Sequence, residues 1–120
     1  MKKSLVSKVL AAASLAFALT AASCASTDLY DWHGYQQSYY QYVKNADKES
    51  LDDLIKTYEE IIAEQDEIRG TVPPGIYADY GFLLLEKGKT EEAKAMLAKE
   101  IELYPESAVF VGSILKRLEK

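Results

Sequence analysis

Pro73-Pro74-Gly75-Ile76-Tyr77-Ala78-Asp79-Tyr80-Gly81 opens a stretch that runs through Lys87-Gly88-Lys89-Thr90 and Ala93 to Pro105-Glu106-Ser107, and this stretch decides the fold. The third predicted helix runs from about Ile76 to Glu86, and Gly88 closes it as a C-terminal glycine. Thr90 is placed to cap the next helix, with Glu91 and Glu92 in a first turn where the helix dipole favours acids. That helix has Ala93, Met96 or Leu97, Ile101 and Tyr104 on its apolar side, and Pro105 stops it. Ser107 is placed to cap a last helix with Phe110, Ile114, Leu115 and Leu118 as its apolar face.

Upstream, Thr71-Val72-Pro73-Pro74-Gly75 enforces extended backbone and breaks the chain from an earlier pair of helices. The spacing predicts a helix from Gln36 to Ala46, with Tyr35, Tyr39 and Tyr42 sharing one face. Asp47 is an N-cap candidate for a second helix, with Glu49 in its first turn and Gly70 as its end. Its apolar stripe is Leu51, Leu54, Ile55, Tyr58, Ile61 and Ile62, and Asp52, Asp53, Glu59, Glu60 and Glu64 occupy the opposite face. No strand-like alternation occurs, so the expected fold class is all-α, built of antiparallel helix pairs.

Residues 74–107 resemble one tetratricopeptide repeat, a helix–turn–helix unit of about 34 residues. Tyr77 stands at the large aromatic position, Gly81 at the small position of the first helix, and Leu84 at the large position after it. Ala93 is the small residue facing Gly81, Leu97 the bulky core residue, and Pro105 the closing proline. Glu100 stands where alanine is usual. A buried glutamate is costly, so Glu100 is expected at a rim, at a partner, or beside a local hydrogen-bond donor. Residues 35–68 resemble a degenerate second copy whose turn at Asn45-Ala46-Asp47 lacks the glycine. The resemblance implies a short right-handed array over residues 35–120 with a C-terminal capping helix, and so small a stack leaves room for a partner to supply a missing surface.

The N-terminus has a different character. Lys2, Lys3 and Lys8 precede an apolar run from Val9 to Ala22 and then small residues, the layout of a secretory signal over residues 1–23. The run is too short to span a bilayer comfortably. Cys24, the single cysteine, follows at the cleavage point in Leu19-Thr20-Ala21-Ala22-Ser23-Cys24, which resembles a lipobox with Ala21 in place of the usual leucine. The expectation is a lipidated Cys24, with ordinary cleavage and a free thiol as the alternative, then a tether and aromatic segment over residues 24–34. Ala25 after the cysteine leans towards the outer membrane under an enterobacterial-type sorting rule.

The chain of 120 residues holds 14 basic and 19 acidic side chains, and loss of residues 1–23 removes three of the basic ones. The remaining body has a formal charge of −8, from 11 basic and 19 acidic residues, with no Lys/Arg cluster to follow a phosphate backbone, so nucleic acid is not an expected partner. A lone cysteine allows no internal disulfide.

Pro73-Pro74-Gly75-x-Tyr77-Ala78, Gly81, Gly88, Ala93, Glu100, Pro105-Glu106-Ser107 and Phe110, preceded by Leu29-Tyr30-x-Trp32-x-x-Tyr35, are similar to the pattern of a family of bacterial lipoproteins of unknown function. The similarity spans about residues 29–116. In that pattern Glu100 is expected. The resemblance implies a place in an envelope assembly beside other small lipoproteins and carries no activity with it.

His33 is the single histidine and has only Asp31 near it in sequence, so it is expected at the surface or half packed, and neither catalysis nor metal binding is indicated. Carboxylates lie on the polar sides of helices, which argues for solvated faces rather than an acid–base pair. No P-loop, dinucleotide turn, zinc pattern or hydrolase elbow occurs. No cofactor, metal or small-molecule ligand is expected. The aromatic cluster at residues 30–42 has three readings: core of the first helix, a partner surface, or a membrane-interface belt near the anchor. The candidate partner-binding residues are Tyr30, Trp32, Tyr35 and Glu100. The expected role is a non-enzymatic adaptor or subunit among other envelope proteins, attached to the periplasmic side of the outer membrane. The alternatives are a small enzyme or accessory subunit acting on cell-wall glycan, and a purely structural subunit of a lipoprotein complex.

Overall fold

The computed structural model describes residues 1–21 and 28–120 of the chain. Cys24, Ala25 and the proposed cleavage point lie outside the described residues. Among the described residues all regular structure is helical: α1 Lys2–Ala21, α2 Tyr35–Asn45, α3 Lys48–Ala63, α4 Ile76–Glu86, α5 Thr90–Leu103, a 3-10 turn Pro105–Ser107 and α6 Ala108–Leu118. No described helix is long and apolar enough to cross a membrane. The side chains of residues 2–13 in α1 are exposed. From α2 onward, each helix packs on the next as an antiparallel neighbour, with α4 against α5 the most extensive contact.

The α4–α5 pair is the rigid centre. A Cβ on Gly81 would lie 3.0 Å from Leu97 Cγ and 3.2 Å from the Ala93 carbonyl oxygen, so the bare glycine is what lets α5 approach. Ala93 and Leu97 are fully buried against it. The turn between the helices is closed by two bonds, Lys89 N–H to Leu84 O at 2.9 Å and Gly88 N–H to Leu85 O at 3.0 Å. This is the paired closure of a Schellman motif, with Gly88 at φ 75° in the left-handed region that glycine enters without strain. The chain leaves that turn so directly that Thr90 is already the first residue of α5, and its hydroxyl caps nothing; Lys89 holds the cap position.

Two apolar clusters hold the array. Leu54, Tyr58 and Ile61 of α3 pack with Val72, Ile76 and Leu83, and Tyr35, Tyr42, Leu51, Ile55 and Ile62 pack around them. Ala78, Leu97 and Val111 form the second cluster, flanked by Phe82, Ile101, Ile114, Leu115 and Leu118. Phe110 departs from expectation: it is 66% exposed, and Val111 fills the core position of α6. Ser107 ends the 3-10 turn at the cap position of α6, but its backbone is already helical and its hydroxyl donates to Glu100, so it too caps nothing.

Asp47 caps α3 as expected, accepting from the Ser50 amide at 2.8 Å and the Ser50 hydroxyl at 2.7 Å. The far end differs. α3 stops at Ala63, with Glu64 extended, rather than running to Gly70. Gln65 Nε2 donates to Ile61 O, and His33 Nε2 donates to Glu64 O, so side chains take up carbonyls that further helix would have used.

Candidate functional site

α2 has no buried residue, and its apolar side chains are tyrosine rings apart from the exposed Val43. The helix starts where His33 and Gly34 both adopt positive φ, which turns the chain from the segment holding Trp32 into the helix. From there the rings run in series. Tyr30 to Trp32 is 6.3 Å between centroids, Trp32 to Tyr35 is 5.9 Å, and Tyr35 to Tyr39 is 5.7 Å. Tyr35 also meets Tyr58 of α3 at 5.7 Å, and Tyr58 stacks on Tyr80 of α4 at 5.5 Å. One aromatic chain therefore crosses three helices. Such ring pairs contribute about 0.5–1.5 kcal/mol each beyond the area they bury.

The hydroxyls orient the rings. Tyr35 donates to Asp79 Oδ2 at 3.1 Å, Tyr80 donates to Glu59 Oε1 at 3.1 Å, and the Ser38 and Thr57 hydroxyls share a 2.8 Å bond between α2 and α3. Burial raises the Tyr58 phenol well above its ordinary value, and the neighbouring Tyr35 adds to the rise. Burial likewise raises Tyr80, helped by Glu59, to about 12. The Asp79 carboxyl is raised by burial, against a lowering from the Tyr35 hydrogen bond.

Beside the rings lies a groove of about 180 Å³, walled by Tyr39 and Tyr42 of α2, Tyr58 of α3, and Asp79, Phe82 and Glu86 of α4. Phe82 meets Phe110 of α6 edge to face at 6.3 Å. The groove thus continues as an apolar surface, with Tyr39 46% and Phe110 66% exposed. Acids stand along it, and nothing in it resembles a nucleophile with its base. A larger cleft of about 530 Å³ lies between the ends of α3 and α5, walled by Gln65, Asp66, Tyr77, Lys99 and Glu102 among others, but its lining is polar and of mixed charge. Among the described residues no group of three or more His, Cys, Asp or Glu side chains is arranged to hold a metal ion.

The candidate residues fall into two places. Tyr30, Trp32 and Tyr35 belong to the aromatic chain; Trp32 is exposed, while Tyr30 and Tyr35 are half-buried. Glu100 is apart from them and is 1% exposed. Its Oε1 accepts from the Gly75 amide at 2.8 Å and from the Ser107 hydroxyl at 3.5 Å, and its Oε2 accepts from the Ala78 amide at 3.4 Å. α4 has no capping side chain of its own, so Glu100 caps it from the neighbouring helix, where the dipole favours a negative group. That occupation removes Glu100 from any partner surface. Of the three placements open to it in the sequence, the local donor is the one realised.

His33 lies in a clasp. The Arg69 amide donates to Leu29 O at 3.0 Å, the Asp31 amide to Gln65 Oε1 at 3.3 Å, and Gln65 Nε2 to Asp31 O at 2.9 Å. His33 Nε2 sits 2.8 Å from Glu64 O and 3.4 Å from Asp31 Oδ2. These bonds fasten residues 29–33 to the loop after α3. Residues 29–114, nearly all of the helical body, match the model of a family described as Domain of unknown function (DUF4810). The chain belongs to this family. No curated protein and no solved structure matches the chain. The DUF4810 match begins at Leu29, the first residue of the clasp, and ends inside α6, so the aromatic chain and the groove both lie within it. Sequence reasoning missed Phe82 and Phe110 as groove residues, because each stands at a helical spacing that also fits a core position.

Proposed function

We propose that this DUF4810 protein is a lipid-anchored envelope protein whose helical body, a short tetratricopeptide-like stack, recognises a segment of another envelope protein. The observation that carries the reading is the groove between α2 and α4, where the rings of Tyr39, Tyr42, Tyr58 and Phe82 stand beside Asp79 and Glu86. Aromatic side chains present a large contact area on few rotatable bonds, which is why they are enriched at interface hot spots. The acids favour a segment that pairs apolar with basic side chains. What supports the stack is the Gly81 to Leu97 approach and the glycine turn at Gly88. What supports the anchor is the basic and apolar run ahead of Cys24, and the outer membrane is the destination we assign to it.

The test is photo-crosslinking in intact cells from position 39. A discrete adduct whose crosslinked peptide maps to one envelope protein, lost in Phe110→Asp without loss of helical signal, supports the recognition role. Adducts to lipid alone, or none, overturn it. Cys24→Ala should move the folded body from the membrane to the soluble fraction, and a variant that stays membrane-bound overturns the anchor.

A further inference from the structure

The clasp has a geometric consequence. Residues 29–33 are bonded into the folded body, so only residues 25–28 separate Cys24 from a fixed point. Five residue steps from Cys24 to Leu29 span at most ~18 Å even when fully extended. At this end of the molecule three large apolar side chains face solvent: Leu29 at 51%, Trp32 at 40% and Ile68 at 64% exposed. Leu29 and Ile68 are brought to one end by the bond from the Arg69 amide to Leu29 O.

We propose that this tip, formed by Leu29, Trp32 and Ile68, rests in the headgroup region of the membrane that holds the Cys24 lipid, so that the body is docked in one orientation instead of swinging on a leash. The proposal rests on the lipid anchor put forward above. A lipid surface is the occupant because the tether places the tip within headgroup reach and because tryptophan favours the interface between hydrocarbon and water. Arg69, on the same loop, can lay its stem along the apolar surface and keep its charge in the headgroups. Asp28, Glu64, Asp66 and Glu67 lie at this end too. Carboxylates are costly in hydrocarbon, so they hold the tip at headgroup depth and favour zwitterionic over anionic lipid.

Trp32 is the single tryptophan of the chain, so its emission reports on the tip alone. The full protein, matured in cells and purified in detergent, is reconstituted into phosphatidylcholine vesicles containing a lipid with a nitroxide high on its acyl chain. Docking predicts loss of Trp32 emission to the nitroxide and shielding from aqueous acrylamide. Ile68→Glu, at an exposed position, should reverse both while vesicle flotation stays unchanged. Protein that floats with the vesicles but leaves Trp32 as open to acrylamide as in the lipid-free Cys24→Ala body overturns the tip proposal and leaves the anchor standing. Protein that does not float overturns the anchor, and the tip proposal with it. Shielding seen only in native membranes assigns the tip to a protein neighbour and also overturns the proposal.

Discussion

The two helix pairs are joined by different means. α4 and α5 meet through a missing side chain: Gly81 admits Leu97, and Gly88 closes the turn without strain. α2 and α3 meet through rings and hydroxyls, and their turn passes through Ala46 at φ 51°, a left-handed conformation that costs an alanine energy. The first arrangement buries Gly81, Ala93 and Leu97 between the helices and leaves only the outer side of α4 to the groove. The second leaves rings half exposed, which is the condition for binding something. The contrast places the scaffold in the C-terminal pair and the candidate recognition surface along the side of α2.

The largest test of this contrast is Leu97→Ala. Leu97 is fully buried, so its truncation should cost about 3 kcal/mol in urea unfolding, against roughly 1–2 kcal/mol for Tyr42→Ala in the aromatic pair. Equal losses would break the division between scaffold and surface. Glu100→Ala comes next. It leaves the Gly75 and Ala78 amides without their acceptors and should cost about 2 kcal/mol. Faster hydrogen exchange at those two amides, with the α2 amides unchanged, would confirm where the loss falls.

A smaller effect has the opposite sign. Ala46→Gly relieves the left-handed alanine and should stabilise the protein by about 0.5–1 kcal/mol, measured by thermal unfolding. A loss of stability would show that the Ala46 methyl packs usefully. The smallest effect is at Asp79, whose carboxyl is raised by burial. An acid raised on folding favours the folded state while it stays protonated, and that contribution is lost as pH rises through its folded value. Asp79→Asn should therefore match the parent in acid and exceed it at neutral pH by a few tenths of a kcal/mol, a figure kept small by solvent screening. A gap that widens on acidification would exclude this sign.

What was legible in the sequence was the backbone punctuation. Gly81, Gly88, Ala93 and Pro105 mark approach, turn and stop by their own chemistry, and Asp47 with Glu49 marks a helix start. Other features depend on residues far away in sequence. α3 ends at Ala63 where His33 reaches the Glu64 carbonyl across the fold and Gln65, which takes the Ile61 carbonyl locally, is tied to Asp31. Thr90 and Ser107 have capping chemistry, yet after a three-residue connection Thr90 is already inside α5, and Ser107, at the cap position of α6, gives its hydroxyl to Glu100 instead. Phe110 and Val111 are neighbours of similar apolar character, and only the register of α6 decides which is buried. In the candidate site, Tyr30, Trp32 and Tyr35 were visible as a composition, while the groove needed Phe82, Asp79 and Phe110 brought from other helices.

Glu100 has a consequence for which changes in chain length the body tolerates. One carboxylate serves the first amides of α4, arises from α5, and receives the hydroxyl that precedes α6. Each residue added to or removed from α5 ahead of Glu100 would swing that carboxylate by about 100° around the helix axis. Substitutions on the outer faces leave the arrangement intact, whereas a single insertion between Ala93 and Glu100 turns the carboxylate away from the Gly75 and Ala78 amides and uncaps α4. The body can therefore drift in composition while the number of residues in α5 stays locked.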